Sequence, residues 1–371
     1  MKIAFVLHKY GIDINDPCFE PLGYLYIAST LKSMGHEVKW LNYNLWDFDL
    51  PEEVNGYDVV MFTGFEEFKD RIIQDAKTVM EMGIRAVLGG ALATFEPEEM
   101  ARHVDTVVVG EGESALSAAL NFGRIVKASS PNLSCVPYPD HEGFGIDEYN
   151  RRHPYRWINV LTSRGCPSSR CIFCAQTCRF QMRDLPDVMR EIDLYSTLYR
   201  PEMIVFEDNT LNLSKKRWLS LCDGMKKRGL PWGAAIRCEP WDEEMASKGS
   251  SSGLQYCVVG VESFNQDKLD RMEKHIKVES IMRCLESLHK HGIGYHGNLL
   301  VGFPWETYTD IFDEMASIPD GMNIFPALVQ PYVGTQCRGR SITREQEEAF
   351  DVLFREYARA NNMTSYPGLA A

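Results

Sequence analysis

At 371 residues the chain is longer than one hydrophobic core usually covers, so two domains are expected. Its formal net charge of −13 argues against a surface that tracks nucleic-acid phosphates, because such surfaces need clustered Lys and Arg. No stretch approaches the roughly 18–20 consecutive apolar residues of a membrane span, and Lys2–Leu7 reads as a first strand and not as a targeting leader; a cytoplasmic protein is expected.

In chain order, Lys2–Leu7 is a strand, Pro21–Met34 a helix and Glu37–Leu41 a strand; Asp58–Phe62, a helix ending near Met82, Arg85–Leu88 and Asp105–Val109 follow. Short apolar strands alternating with helical periods predict a parallel, doubly wound sheet over residues 1–125, with ligands outside the carboxyl ends of its strands. Residues 126–155 break the rhythm with Ser129-Ser130-Pro131-Asn132 and further prolines, which reads as a linker. The alternation restarts over 156–330, with strands at Trp157–Thr162, Met203–Phe206, Gly233–Cys238, Tyr256–Val261, Tyr295–Val301 and Met322–Ala327. Six such units predict a partial (β/α)6 barrel whose chemistry lies on the loops at the carboxyl ends of its strands. A short segment, 331–371, follows with one helical run, Arg344–Ala360.

Eleven cysteines suit a disulfide scaffold poorly in a chain of this length, and Cys166, Cys171 and Cys174 sit together directly after the first barrel strand. Thiolates are soft ligands for iron-sulfur clusters and for zinc. Three on one loop can bind three corners of a cubane and leave one iron for a small chelating molecule. A structural zinc site would want a fourth ligand, and Cys178 lies four residues on.

Thr162-Ser163-Arg164-Gly165-Cys166-Pro167 followed by Cys171-Ile172-Phe173-Cys174 resembles the signature of the radical S-adenosylmethionine (SAM) family. The usual signature has three residues between the first two cysteines, and this chain has four. The extra residue adds at most about 3.5 Å of reach, which a loop can absorb. Phe206-Glu207-Asp208-Asn209, Ile236-Arg237-Cys238, Gly260-Val261-Glu262-Ser263 and the run from Gly297 through Gly302 to Glu306 resemble the same family at successive strand ends. The resemblance implies SAM contacts from Phe173 (adenine), Arg237 (carboxylate), Glu262 (polar atoms) and the Gly297–Gly302 backbone (adenine), with Asp208 and Glu306 in the same set. Any one of these alone reads equally well as an ion pair or a turn; their joint order carries the likeness.

The first half resembles the flavodoxin-like cobalamin-binding domain that precedes this barrel in a large subfamily, the cobalamin-dependent radical SAM methyltransferases. The matching residues run from Pro21 through Gly23 to Ala28, Leu88-Gly89-Gly90 with Ala93-Thr94-Phe95, and Val109-Gly110-Glu111-Gly112-Glu113. Glycines at strand ends let a backbone approach a bulky ligand. Gly23, Gly89, Gly90, Thr94, Gly110, Glu111 and Gly112 are thereby implied contacts of the corrinoid, with Phe65 and Glu66 on the loop below its ring. Some corrinoid proteins supply a lower axial His from Asp-x-His-x-x-Gly; here His8-Lys9-Tyr10-Gly11 has Val6 where the Asp would stand. A histidine held on a metal normally needs an acceptor behind it, so a corrinoid without a strong lower ligand is expected.

The resemblance implies methylation of an unactivated carbon, with one SAM methylating the corrinoid, a second cleaved to a 5'-deoxyadenosyl radical, and the substrate radical taking methyl from methylcobalamin. It also implies a reducing partner such as a ferredoxin or flavodoxin. A cyclisation, ring contraction or oxidation by the same cofactors is the alternative, and a non-catalytic corrinoid carrier or sensor the second. The shortness of 331–371 suggests an open site and hence a peptide or protein substrate, such as the glutamine of methyl-coenzyme M reductase that related enzymes methylate; a small metabolite is the competing expectation.

Overall fold

The structure, a computed structural model, describes residues 1–9, 20–121, 123–152, 156–168, 171–330, 334–337 and 343–360. They form two compact units, Met1–Arg156 with Thr177–Arg179, and Trp157–Gln176 with Phe180–Ala371.

The first unit is built on six parallel strands: β1 (Lys2–Leu7), β2 (Glu37–Asn42), β3 (Val59–Thr63), β4 (Arg85–Gly89), β5 (Thr106–Val109) and β6 (Ile125–Lys127), in the order β2-β1-β3-β4-β5-β6. The runs Ile3–Leu7 and Val59–Phe62 are buried throughout, as strands covered by helices on both faces must be. The chain leaves β1 towards β2 on one side and returns to β3 on the other, so the switch point of the sheet lies between β1 and β3.

The stretch read as a linker belongs to this unit. β6 pairs with β5, and the short helices His141–Phe144 and Ile146–Arg152 bury Phe144, Ile146 and Tyr149. Phe144 meets Trp40 edge-on at 5.7 Å, and Asp140 pairs with Lys32 at 2.6 Å. These apolar residues cover the outer edge of the sheet, a periodicity too short to emerge among prolines; residues 153–155 lie outside the described set.

The second unit holds β7 (Trp157–Val160), a two-stranded antiparallel pair β8 (Ser163–Arg164) and β9 (Gln181–Met182), then β10 (Met203–Phe206), β11 (Trp232–Arg237), β12 (Leu254–Glu262), β13 (Gly294–Val301) and β14 (Ile324–Leu328). Six of them make one parallel sheet, ordered β14-β13-β12-β11-β10-β7, with β7 and β14 at its edges: the partial barrel expected. Along β12, Cys257, Val259 and Val261 are fully covered while Val258 and Gly260 are half-buried, so one face packs on helices and the other stays accessible. Among the described residues no helix is long and apolar enough to cross a membrane.

Candidate functional site

The cysteine loop leaves the carboxyl end of β7 and is anchored on both sides. At its start, the Asp208 carboxylate accepts from Thr162 N at 2.9 Å, from Thr162 Oγ1 at 2.9 Å and from the Ser163 hydroxyl. Arg217 donates to the carbonyls of Thr162 and Arg183 at 3.1 and 2.9 Å, and Arg183, itself paired with Asp187 and Glu191, donates to Leu161 O at 2.8 Å. At its far side, Ile172 N donates to Met272 O at 3.2 Å and Ile172 O accepts from Gln336 N at 2.9 Å. Cys174 N closes a turn on Cys171 O at 3.1 Å. Ser169 and Arg170, within the four-residue spacing, lie outside the described residues.

Cys166, Cys171 and Cys174 are free, partly exposed thiols. Burial pushes Cys171 and Cys174 up; Lys274 and Arg237 oppose this at Cys171, and Gln176, 3.2 Å from Cys174 Sγ, with Lys274 opposes it at Cys174. A single zinc ion would need its sulfurs at about 2.3 Å from one centre. Among the described residues no group of three or more Cys, His, Asp or Glu is placed to hold one ion. Three soft donors on one loop fit, by their chemistry, three irons of a cubane.

The structure brings several of the expected SAM residues together. Arg237 ends β11 and donates to Lys274 O at 3.0 Å; Glu262 ends β12 and pairs with Lys274 Nζ at 2.7 Å. Lys274 Nζ also lies 5.8 Å from the ring centroid of Phe173, and Phe173 meets Phe303 edge-on at 6.4 Å. Gly302, with φ of +84°, makes the left-handed turn that delivers Phe303. Beside the loop an open cavity of about 700 Å³, lined by Pro167, Ser168, Thr210, Arg237, Cys238 and His275 among others, is within the size range of small-molecule sites.

Three of the residues expected to contact SAM also make contacts within the protein. Asp208 is 2% exposed with both oxygens engaged by Thr162 and Ser163, so it holds the cysteine loop; burial pushes its carboxyl up to about 6. Glu306 pairs with Lys268 at 2.5 Å and accepts from Phe303 N at 2.8 Å, which fixes the turn after β13. At Gly297 a Cβ would lie 2.7 Å from both Ile324 Cδ1 and Val261 Cγ2, so neighbouring side chains require this glycine. Lys274 escaped the sequence reading: Met272-Glu273-Lys274-His275 has no recognisable pattern, and the left-handed backbone of Glu273 (φ 55°) and His275 (φ 53°) that presents it is not legible in residue types.

In the first unit most of the expected corrinoid residues lie at the carboxyl ends of β3, β4 and β5, with Gly23 on the helix after β1. Phe65 is 52% exposed after β3, beside Glu66 in the short turn Glu66–Phe68. Gly89 ends β4, and Gly23 opens the helix Leu22–Ser33; a Cβ on either would meet nothing within 4 Å. Gly90 and Gly110 are left-handed (φ +83° and +89°), and a Cβ on Gly90 would lie 2.2 Å from Thr63 Oγ1. Thr94, expected on the ligand, ties these loops together: its hydroxyl donates to Gly90 O at 2.7 Å and accepts from Gly110 N at 3.1 Å. Glu111 and Gly112 continue from Gly110 beside Ile27, whose Cδ1 would lie 3.0 Å from a Gly112 Cβ. Open backbone beside a switch point, with an exposed aromatic ring, fits a broad, flat ligand. His8, just past β1, places Nε2 3.0 Å from Asp75 Oδ2 and stacks on Tyr43, Phe62 and Phe68, so the acceptor that Val6 cannot supply arrives from another helix. Tyr10 and Gly11 lie outside the described residues.

A barrel carrying three soft thiols and a charged cleft at its strand ends, on a chain that also carries a doubly wound sheet with an open strand-end crevice, defines a radical SAM enzyme with a corrinoid domain. Residues 16–120 match the B12 binding domain and residues 160–317 the Radical SAM superfamily. An uncharacterised methyltransferase of Pyrococcus horikoshii is 27% identical over 337 residues, covering 78% of this chain and 71% of that one. Bacteriochlorophyllide d C-12(1)-methyltransferase of Chlorobaculum tepidum is 26% identical over 338 residues, covering 85% and 72%. The radical SAM methyltransferase TsrM of Kitasatospora setae, solved with cobalamin and a [4Fe-4S] cluster, shares the fold with a TM-score of 0.73 at 17% identity over 91% of this chain and 76% of that one. The chain belongs to the cobalamin-dependent radical SAM methyltransferase family, whose cofactors are a [4Fe-4S] cluster, SAM and cobalamin.

Proposed function

We propose that this protein transfers a methyl group to a carbon of a small organic substrate, drawing electrons from a ferredoxin or flavodoxin. The observation that carries the reading is the convergence of Phe173, Arg237, Glu262 and Lys274 beside the cysteine loop, on a chain whose first unit carries the glycine-lined crevice. Cys166, Cys171 and Cys174 would hold the cluster, Arg237 and Glu262 the SAM carboxylate and polar atoms, and Phe173 the adenine. Gly23, Gly89 and Phe65 would face the corrinoid. When bound, these groups supply one-electron chemistry and a transferable methyl group. Arg237 is held ready by Lys274 O, and Asp208 keeps the start of the cysteine loop from shifting. Such fixed placement is what reactions between bound groups about 3–3.5 Å apart require.

The relatives support a small substrate. Those whose names state one act on small molecules, bacteriochlorophyllide d and cytidylyl-2-hydroxyethylphosphonate among them. No residue of the site speaks for the peptide or protein side chain expected from the shortness of 331–371. Cyclisation stays a second reading, because an anaerobic magnesium-protoporphyrin IX monomethyl ester cyclase of Rubrivivax gelatinosus is 25% identical over 83% of this chain.

The test is turnover with trideuteromethyl SAM against parallel panels of tetrapyrroles, nucleotide-linked phosphonates and peptides. Methyl transfer predicts a labelled product with S-adenosylhomocysteine and 5'-deoxyadenosine in roughly equal yield. An unlabelled product of unchanged carbon count would establish cyclisation or oxidation instead. Label appearing on peptides alone would restore the macromolecular substrate.

A further inference from the structure

We propose that Lys274 is a fixed cation of the cluster site: it orients Glu262 and places a positive charge beside the cysteine loop. This rests on the assignment of Cys166, Cys171 and Cys174 as cluster ligands.

Four observations converge on this side chain. Lys274 is 5% exposed, and its ammonium pairs at 2.7 Å with Glu262, which is 8% exposed. A buried charge persists only when paired, so the two side chains hold each other in place. The backbone around the pair is held in conformations that L residues rarely adopt: Glu262 has φ 66°, and Glu273 and His275, flanking Lys274, have φ 55° and 53°. Non-glycine residues hold the left-handed region only where the surroundings compel it, and three of them serve one ion pair here. The third observation is the space kept for the pair. A Cβ on Gly260 would lie 2.8 Å from Lys274 Nζ and 3.1 Å from Glu262 Oε1, so the glycine on β12 leaves room for the ammonium.

The fourth is the wiring to the cysteine loop. Met272 O accepts from Ile172 N between Cys171 and Cys174, Lys274 O accepts from Arg237 at 3.0 Å, and Lys274 Nζ lies 5.8 Å from the Phe173 ring. The ammonium is thus fixed on a segment that is itself hydrogen-bonded to the cysteine loop. Thiolate-bound clusters gain negative charge on reduction, and nearby cations make that electron easier to add. Lys274 is therefore a positioning residue for Glu262 and a tuning charge for the cluster.

The experiment uses full-length reconstituted protein, with iron and sulfide content, the cluster's midpoint potential by redox titration followed by electron paramagnetic resonance, and SAM affinity by equilibrium dialysis. Lys274→Gln should retain iron, move the potential to more negative values and weaken SAM binding roughly tenfold, as loss of a residue that orients a ligand does. Lys274→Arg should restore the potential, because it returns the charge. A Lys274→Gln protein with full iron and an unchanged potential would overturn the proposal, as would a shift of equal size in Lys274→Arg. Should Lys274→Gln fail to fold, Glu262→Gln answers the same question: the cluster should then be easier to reduce, and an unchanged potential would show that it feels neither member of the pair. A wild-type chain that binds no iron would instead overturn the ligand assignment itself, taking this proposal with it.

Discussion

The two candidate sites are built by opposite means. At the cysteine loop the protein supplies charge: Lys274 with Glu262, Arg183 with Asp187 and Glu191, and Asp208 beneath Thr162 and Ser163. At the strand ends of the first unit it supplies absence, with nothing within 4 Å of a Cβ at Gly23 or Gly89. A small polar ligand brings few contacts and must be gripped by fixed dipoles and ions. A large, flat ligand brings its own surface and needs backbone that stays out of the way. Damage to the first kind of site should therefore register in stability and pH dependence as well as in ligand affinity, and damage to the open backbone of the second in ligand affinity alone.

The largest effect is expected at Asp208. Burial holds its carboxyl protonated up to about pH 6, whereas the unfolded group ionises near 3.8. Its contribution to stability is complete below the unfolded value and is lost as pH rises through about 6, by roughly 3 kcal/mol. Asp208→Asn should remove this dependence, so that its cost through donors left poorly matched, about 1–3 kcal/mol near pH 4.5, shrinks as pH rises through about 6. Urea unfolding at pH 4.5 and 7 reads both; parallel pH dependence in the two proteins would show that Asp208 does not titrate in this way.

Glycine substitutions then sharpen the contrast at the other site. Gly90→Ala forces a side chain against Thr63 in a left-handed turn and should lower stability by about 1–3 kcal/mol. Gly89→Ala meets open space and should leave stability within about 0.5 kcal/mol while weakening cobalamin binding. Equal stability losses from the two, or unchanged cobalamin affinity in Gly89→Ala, would remove the reading of this crevice as a space kept for a ligand.

Much of this was legible in the chain because it is local. Strand periodicity gave both sheets, and the spacing of Cys166, Cys171 and Cys174 gave the loop. What stayed hidden depends on partners distant in sequence or on backbone angles. Val6 left His8 without a carboxylate in the sequence, yet Asp75, 67 residues further on, stands 3.0 Å away. Asp208 and Glu306 carry motif-like neighbours, and only the fold shows that both are buried and hold turns. Gly297 looks like a backbone approach to a ligand, and only the positions of Val261 and Ile324 reveal a packing requirement. Lys274 could be found only once three left-handed residues and Gly260 had been seen around it.

The claim that one chain holds two metal cofactors by these separate means is tested most directly by elemental analysis of reconstituted wild-type protein and of the variant with Cys166, Cys171 and Cys174 all changed to Ala. The wild type should hold about four irons and one cobalt per chain. The variant should lose its iron and its absorption near 400 nm, an order-of-magnitude position for thiolate-bound cubanes, while keeping its cobalt. Iron retained in the variant, or a wild type that takes up no cobalt, would contradict the account.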